Sequence, residues 1–156
     1  MLILMNNRQR RHRFGSRQLK KVAEKILSAL ECPEGTELSV SIVGDRAIRV
    51  INRDYLDKDR PTNVISFSLQ EGDCSGINPL VLGDVLISAD TAAREAQEGG
   101  IVFFERLSFL LLHGILHLCG YDHERSGELE AEKMQQKEQQ LFGILKKEGL
   151  LNPTGS

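Results

Sequence analysis

At 156 residues the chain is long enough to bury a core of its own and short enough for one domain spanning residues 1–156, with no need of disulfides to hold it. Its 40% hydrophobic and 27% charged residues exclude a disordered or fibrous chain. A formal net charge of −2 excludes wholesale wrapping of nucleic acid by a basic protein, though not a local basic groove. Cys32, Cys74 and Cys119 are odd in number, widely spaced and without a CxxC pair, so neither a disulfide framework nor a cysteine zinc site is expected, and a cytoplasmic setting fits.

Residues 1–5 are apolar and precede a basic stretch, the reverse of the charge order of a secretory signal, and they read as a first strand. Arg8, Arg10, Arg11, Arg13 and Arg17 then lead into Lys20 and Lys21, while Val22, Ile26, Leu27 and Leu30 fall on one helical face. The arginines read as a solvated face before nucleic-acid contact, because basic runs are weakly specific. Pro33 and Gly35 break the helix, and Leu38, Val40 and Ile42 alternate with polar residues as a half-buried strand does. Asp45 is the expected cap of a short helix that turns Ile48 and Ile51 inward and ends in a polar stretch closed by Pro61.

Val64, Ile65 and Phe67 predict another short strand, and residues 71–79 an exposed loop. Residues 81–88 predict a buried strand, and Asp90 the cap of a helix stopping at Gly99 and Gly100. The apolar run 101–119 approaches membrane-span length, but Glu105, Arg106, His113 and His117 would be costly in lipid, which makes it a buried central helix and predicts no membrane partner. A last helix is expected from Ser126, with Glu128 and Glu130 in its first turns, to Lys146 and Lys147 before Gly149. The whole predicts an α+β fold: a small mixed sheet of about four strands, with helices packed around a central metal-binding helix and a metzincin-like zinc site.

Three of the four histidines fall in HGILHLCGYDH at residues 113–123. Residues four apart lie one helical turn up the same face, so His113 and His117 can aim at one ion, and a left-handed Gly120 can turn the chain to bring His123 to it. Three neutral nitrogens leave a fourth tetrahedral position open, the pattern of one catalytic zinc ion rather than a closed structural site. The spacing equals the metzincin HExxHxxGxxH, but Gly114 stands where those proteases place the glutamate that activates water. Metal binding survives that change, whereas ordinary proteolysis loses its base. RNA carries its own 2′-hydroxyl and is less affected. Lys58 and Arg60 are candidates for holding phosphates, Asp84 and Asp122 for orienting ligand histidines, and Tyr55 and Tyr121 for stacking bases.

This segment closely resembles the YbeY family of bacterial endoribonucleases, whose HGxLHLxGYDH motif is matched by residues 113–123. PTNVISF at 61–67 and LGDVLIS at 82–88 agree with the family in sequence and order. The resemblance implies a single-strand-specific, metal-dependent endoribonuclease acting on single-stranded RNA, with His113 at its catalytic centre. It also implies maturation of the 3′ end of 16S rRNA and late quality control on the small ribosomal subunit. The chain departs from the family at Leu56, where an arginine commonly follows the tyrosine, leaving Arg53 or Arg60 to supply that charge. It departs again at Ser68, where a proline often follows the phenylalanine. Competing readings are a zinc peptidase or other metallohydrolase using Glu124 or Asp84 as base, and a non-catalytic ribosome-assembly factor with structural zinc.

Overall fold

The computed structural model of the protein describes residues 1–69, 80–121 and 127–152. Its elements follow the order β1 (Leu2–Asn7), α1 (Ser16–Ala29), β2 (Glu37–Val43), α2 (Asp45–Leu56), β3 (Val64–Ser68), β4 (Val81–Ser88), α3 (Ala89–Gly99), α4 (Phe103–Leu118) and α5 (Gly127–Lys147). The four strands form one mixed sheet in the order β1-β2-β4-β3, in which β1, β2 and β4 run parallel and β3 is antiparallel at one edge. Parallel neighbours require crossovers, which α1 supplies between β1 and β2, and α2 with β3 between β2 and β4. The expected loop at 71–79, Cys74, and the predicted helix start at Ser126 lie outside the described residues.

Alternation along the strands sorts side chains onto two faces. Val85 and Ile87 of β4, with Leu38, Val40 and Ile42 of β2, join α1, α4 and α5 in the main core. On the other face Val43 and Ile65 pack with Ile48 of α2, and Phe67 and Leu86 lie against them. Each Leu, Ile or Val removed fully from water contributes ~1.5–3 kcal/mol. Leu19, Val22, Ile26 and Leu27 of α1, all 0–1% exposed, therefore fix that helix to the sheet.

The central-helix expectation holds for α4. Ten of its residues, among them Leu107, Leu111, Ile115 and Leu118, are buried, leaving a stripe of Arg106, Phe109, His113 and His117 that is only half covered. Among the described residues no single helix is long and apolar enough to cross a membrane. After Leu118, Gly120 takes φ +93°, the left-handed turn predicted for it.

Two predicted caps are corrected. Gly44, not Asp45, is the N-cap of α2, and Ser88, not Asp90, caps α3 by accepting from the Thr91 amide at 3.2 Å. The two aspartates serve a tertiary network instead. Asp45 accepts from the hydroxyls of Ser88 and Thr91, both at 2.6 Å, and its own amide donates to Asp90 at 2.9 Å. Stitching the starts of α2 and α3 together outweighs local capping in placing these carboxylates.

Candidate active site

The cleft at the β3 edge is built from three pieces of chain. The C-terminal half of α4 brings His113, His117 and Leu118, with Tyr121 just beyond. Strand β3 and its approach bring Thr62, Asn63, Val64 and Ser66, and the turn after α2 brings Lys58 and Arg60. Together they enclose about 550 Å³. The turn is held from below. Asn52, 2% exposed, donates from its side chain to the Arg60 carbonyl at 2.9 Å, and its own carbonyl accepts from the Lys58 amide at 3.1 Å. With its backbone fixed at both points, the turn presents two cations to the cleft, and neither makes an ion pair among the described residues.

His113 and His117 converge as the spacing predicts. Their Nε2 atoms are 3.1 Å apart and their rings stand at 70°. Two nitrogens at ~2.05 Å from a tetrahedral ion stand about 3.3 Å apart, so this pair has the span that such an ion bridges. The donor set fits for a second reason. Glu138 of α5 places Oε2 2.7 Å from His113 Nδ1. An ionised carboxylate only accepts, so Nδ1 carries the proton and Nε2 presents a lone pair, the arrangement of a ligating histidine. Glu138 is 9% exposed and shares the buried stripe of Met134, Leu141 and Leu145. Among the described residues no group of three His, Cys, Asp or Glu side chains forms a metal site. The predicted third ligand, His123, and with it Asp122 and Glu124, lie outside the described residues.

Gly114 has a packing reason. A Cβ there would meet Val85 Cγ1 at 2.6 Å and Ser66 Oγ at 3.1 Å, and Ser66 already donates to the Gly114 carbonyl at 3.0 Å. The helix lies so close to β3 and β4 that any side chain here would have to push Val85 or Ser66 aside. Asp84, the candidate second ligand-orienting residue, is exposed and shares the sheet face of Leu86, the face that packs on α2. Its neighbour Val85 faces α4, so Asp84 points away from both histidines. Arg53 is also displaced, paired with Asp54 at 3.0 Å outside the cleft lining, whereas Arg60 shares that lining with Leu56. Tyr55 is 72% exposed and sets its ring edge-on to Phe67, leaving Tyr121 as the tyrosine of the cleft. Glu138 is the residue that sequence reading missed. A single carboxylate on the apolar stripe of the last helix was the available signal.

Three comparisons bear on this arrangement. The family description Endoribonuclease YbeY matches residues 4–146. The chain is 63% identical over 151 residues to the Endoribonuclease YbeY of Geobacter metallireducens, covering 97% of this chain and 100% of that protein. It is 62% identical over 151 residues to the Endoribonuclease YbeY of Geobacter sulfurreducens, with the same coverage. The solution structure of TM1509 from Thermotoga maritima superposes with a TM-score of 0.61 at 23% identity, covering 99% of each chain, a likeness of fold. With the motif, the cleft and near-complete coverage in agreement, the chain belongs to the YbeY endoribonuclease family.

Proposed function

We propose that the protein is a single-strand-specific, metal-dependent endoribonuclease that matures the 3′ end of 16S rRNA and acts in late quality control of the small ribosomal subunit in the cytoplasm. In this reading His113, His117 and His123 hold one zinc ion. The observation that carries it is the pair of Nε2 atoms 3.1 Å apart, opening into a cleft that also holds Lys58 and Arg60. A phosphodiester needs that combination: cations for the phosphate and a metal position beside the reacting atoms.

Bound zinc would polarise a phosphoryl oxygen and lower the pKa of a water toward ~7. The chain's own residues do the rest. Lys58 and Arg60 bind phosphate oxygens and set the backbone in the cleft. Arg60 supplies the guanidinium that Leu56 lacks, from a turn fixed by Asn52. Glu138 holds the His113 Nδ1 proton, so the ring keeps one tautomer and one orientation. Tyr121 offers a flat surface to a base in a cleft otherwise short of aromatics.

Of the two bases open to the peptidase reading, Asp84 faces the other side of the sheet, and Glu124 lies outside the described residues. The test is a comparison of substrates. The zinc-loaded protein should cut single-stranded RNA, spare duplex RNA and leave an unfolded polypeptide intact. Cleavage of the polypeptide with the RNA left whole would reverse the assignment.

A further inference from the structure

A second basic segment lies as a rim at the same end of the sheet as the approach to the cleft. β1, β2 and β4 end, and β3 begins, at the same end of the sheet. There the Arg8 amide donates to the Ile42 carbonyl at 2.8 Å, and the Ser88 amide to the Asn63 carbonyl at 2.9 Å. Residues 8–13 cross the ends of the parallel strands until His12 Nε2 meets Asp90 Oδ1 at 2.9 Å. Neighbouring strands lie ~4.8 Å apart, so the end of β1 stands on the order of 15 Å from the start of β3 at the cleft.

The segment is rigid where a solvated basic run would be loose. The Gln9 side chain donates to Asn7 Oδ1 at 2.9 Å and to the His12 carbonyl at 2.8 Å, and accepts from the His12 amide at 2.9 Å. From this clamped loop Arg8, Arg10 and Arg13 project into solvent, and none makes an ion pair among the described residues. Residues 8–21 contain seven Arg and Lys and no Asp or Glu, although the whole chain carries a net charge of −2. Cations held apart on a fixed loop, without internal partners, are preorganised for a polyanion.

We propose that this rim is a second contact surface for the RNA backbone, holding the single-stranded segment that flanks the one in the cleft. The inference rests on the nuclease reading above. The nearness of Lys58 and Arg60, the cleft's own phosphate candidates, at the same end of the sheet favours RNA over an acidic protein or an anionic membrane.

The test is the triple variant Arg8→Gln, Arg10→Gln, Arg13→Gln. Its binding to single-stranded RNAs of about 16 and about 4 nucleotides is followed by fluorescence anisotropy over a salt series. With the long RNA, affinity should fall about tenfold and the slope of log K against log salt by about 2, near 0.7 for each lost phosphate contact. The short RNA should be bound and cut as by the unaltered protein, and the Arg→Lys triple should recover most of the long-RNA affinity. Unchanged long-RNA affinity and slope would overturn the proposal, as would an equal loss on both lengths. So would a loss confined to acidic peptides or anionic vesicles. If the unaltered protein binds both RNAs but cuts neither, the nuclease reading fails, while the rim is still judged by the length-dependent loss alone.

Discussion

Two polar clusters of this molecule use their charges in opposite ways. At the ends of β2 and β4, the acceptors of Asp45 and Asp90 are met by donors fixed in the fold: Ser88, Thr91, Arg94, His12 and a backbone amide. Behind the cleft, Glu138 holds His113, while Lys58 and Arg60 face the open space with no ion pair among the described residues. The first cluster is closed on itself and belongs to stability. The second is satisfied from behind and open in front, which is what a ligand site requires.

Substitutions that separate stability from activity put this contrast at risk. The largest effect should come from His117→Ala, expected to lower RNA cleavage by roughly 10³-fold, since metal chemistry supplies several kcal/mol at the transition state. Its Tm should move little, because His117 lies on the half-covered stripe of α4 while the buried side carries the core. Parallel cleavage assays and thermal melts check both halves. Glu138→Gln should weaken zinc affinity by about 10–100-fold, by loosening the His113 tautomer and orientation, and competition with a chelator measures this. A loss of stability with zinc affinity intact would make Glu138 a mere packing partner.

Gly114→Ala tests the close approach of α4 to the sheet. The added methyl must displace Val85 or Ser66, with an expected cost of ~1–3 kcal/mol in urea unfolding. Asp45→Asn should act in the closed cluster alone, costing ~1 kcal/mol at neutral pH with cleavage unchanged. It carries a pH signature as well. Burial pushes the Asp45 carboxyl up, but Ser88, Thr91 and Arg94 together hold it below its ordinary value, and Asp90 is held low by the Asp45 amide and His12. A carboxylate depressed in the fold stabilises above its unfolded value of ~3.9 and loses that contribution as pH falls through the folded value. Acid unfolding below about pH 4 should therefore be shallower in Asp45→Asn than in the parent, a result that urea melts across the acid range can deny.

Much of this was readable in the sequence where the signal is local. Alternation gave β2 and short apolar runs the other strands, the long apolar run gave α4, and two histidines four apart gave the converging Nε2 pair. What was not readable depends on distant partners. Asp45 and Asp90 carry the right chemistry for caps, yet each sits one residue or more inside its helix, because the network between α2 and α3 needs them there. Asp84 lies in a family-like segment, but alternation places it on the α2 face. Gly114 is legible as a missing base; that α4 packs so closely on β3 and β4 that any side chain there would push Val85 or Ser66 aside is known only once the fold is in place. Glu138 left one trace, a charge on an otherwise apolar stripe.

The most direct measurement is calorimetric titration of zinc into metal-free protein, for the unaltered chain and for His117→Ala, with single-stranded RNA cleavage followed at each addition. One high-affinity ion per chain is predicted, with cleavage rising in step to the same equivalence point, and both lost in His117→Ala. Cleavage at full rate in the rigorously metal-free protein, or tight zinc binding undiminished in His117→Ala, would contradict the account.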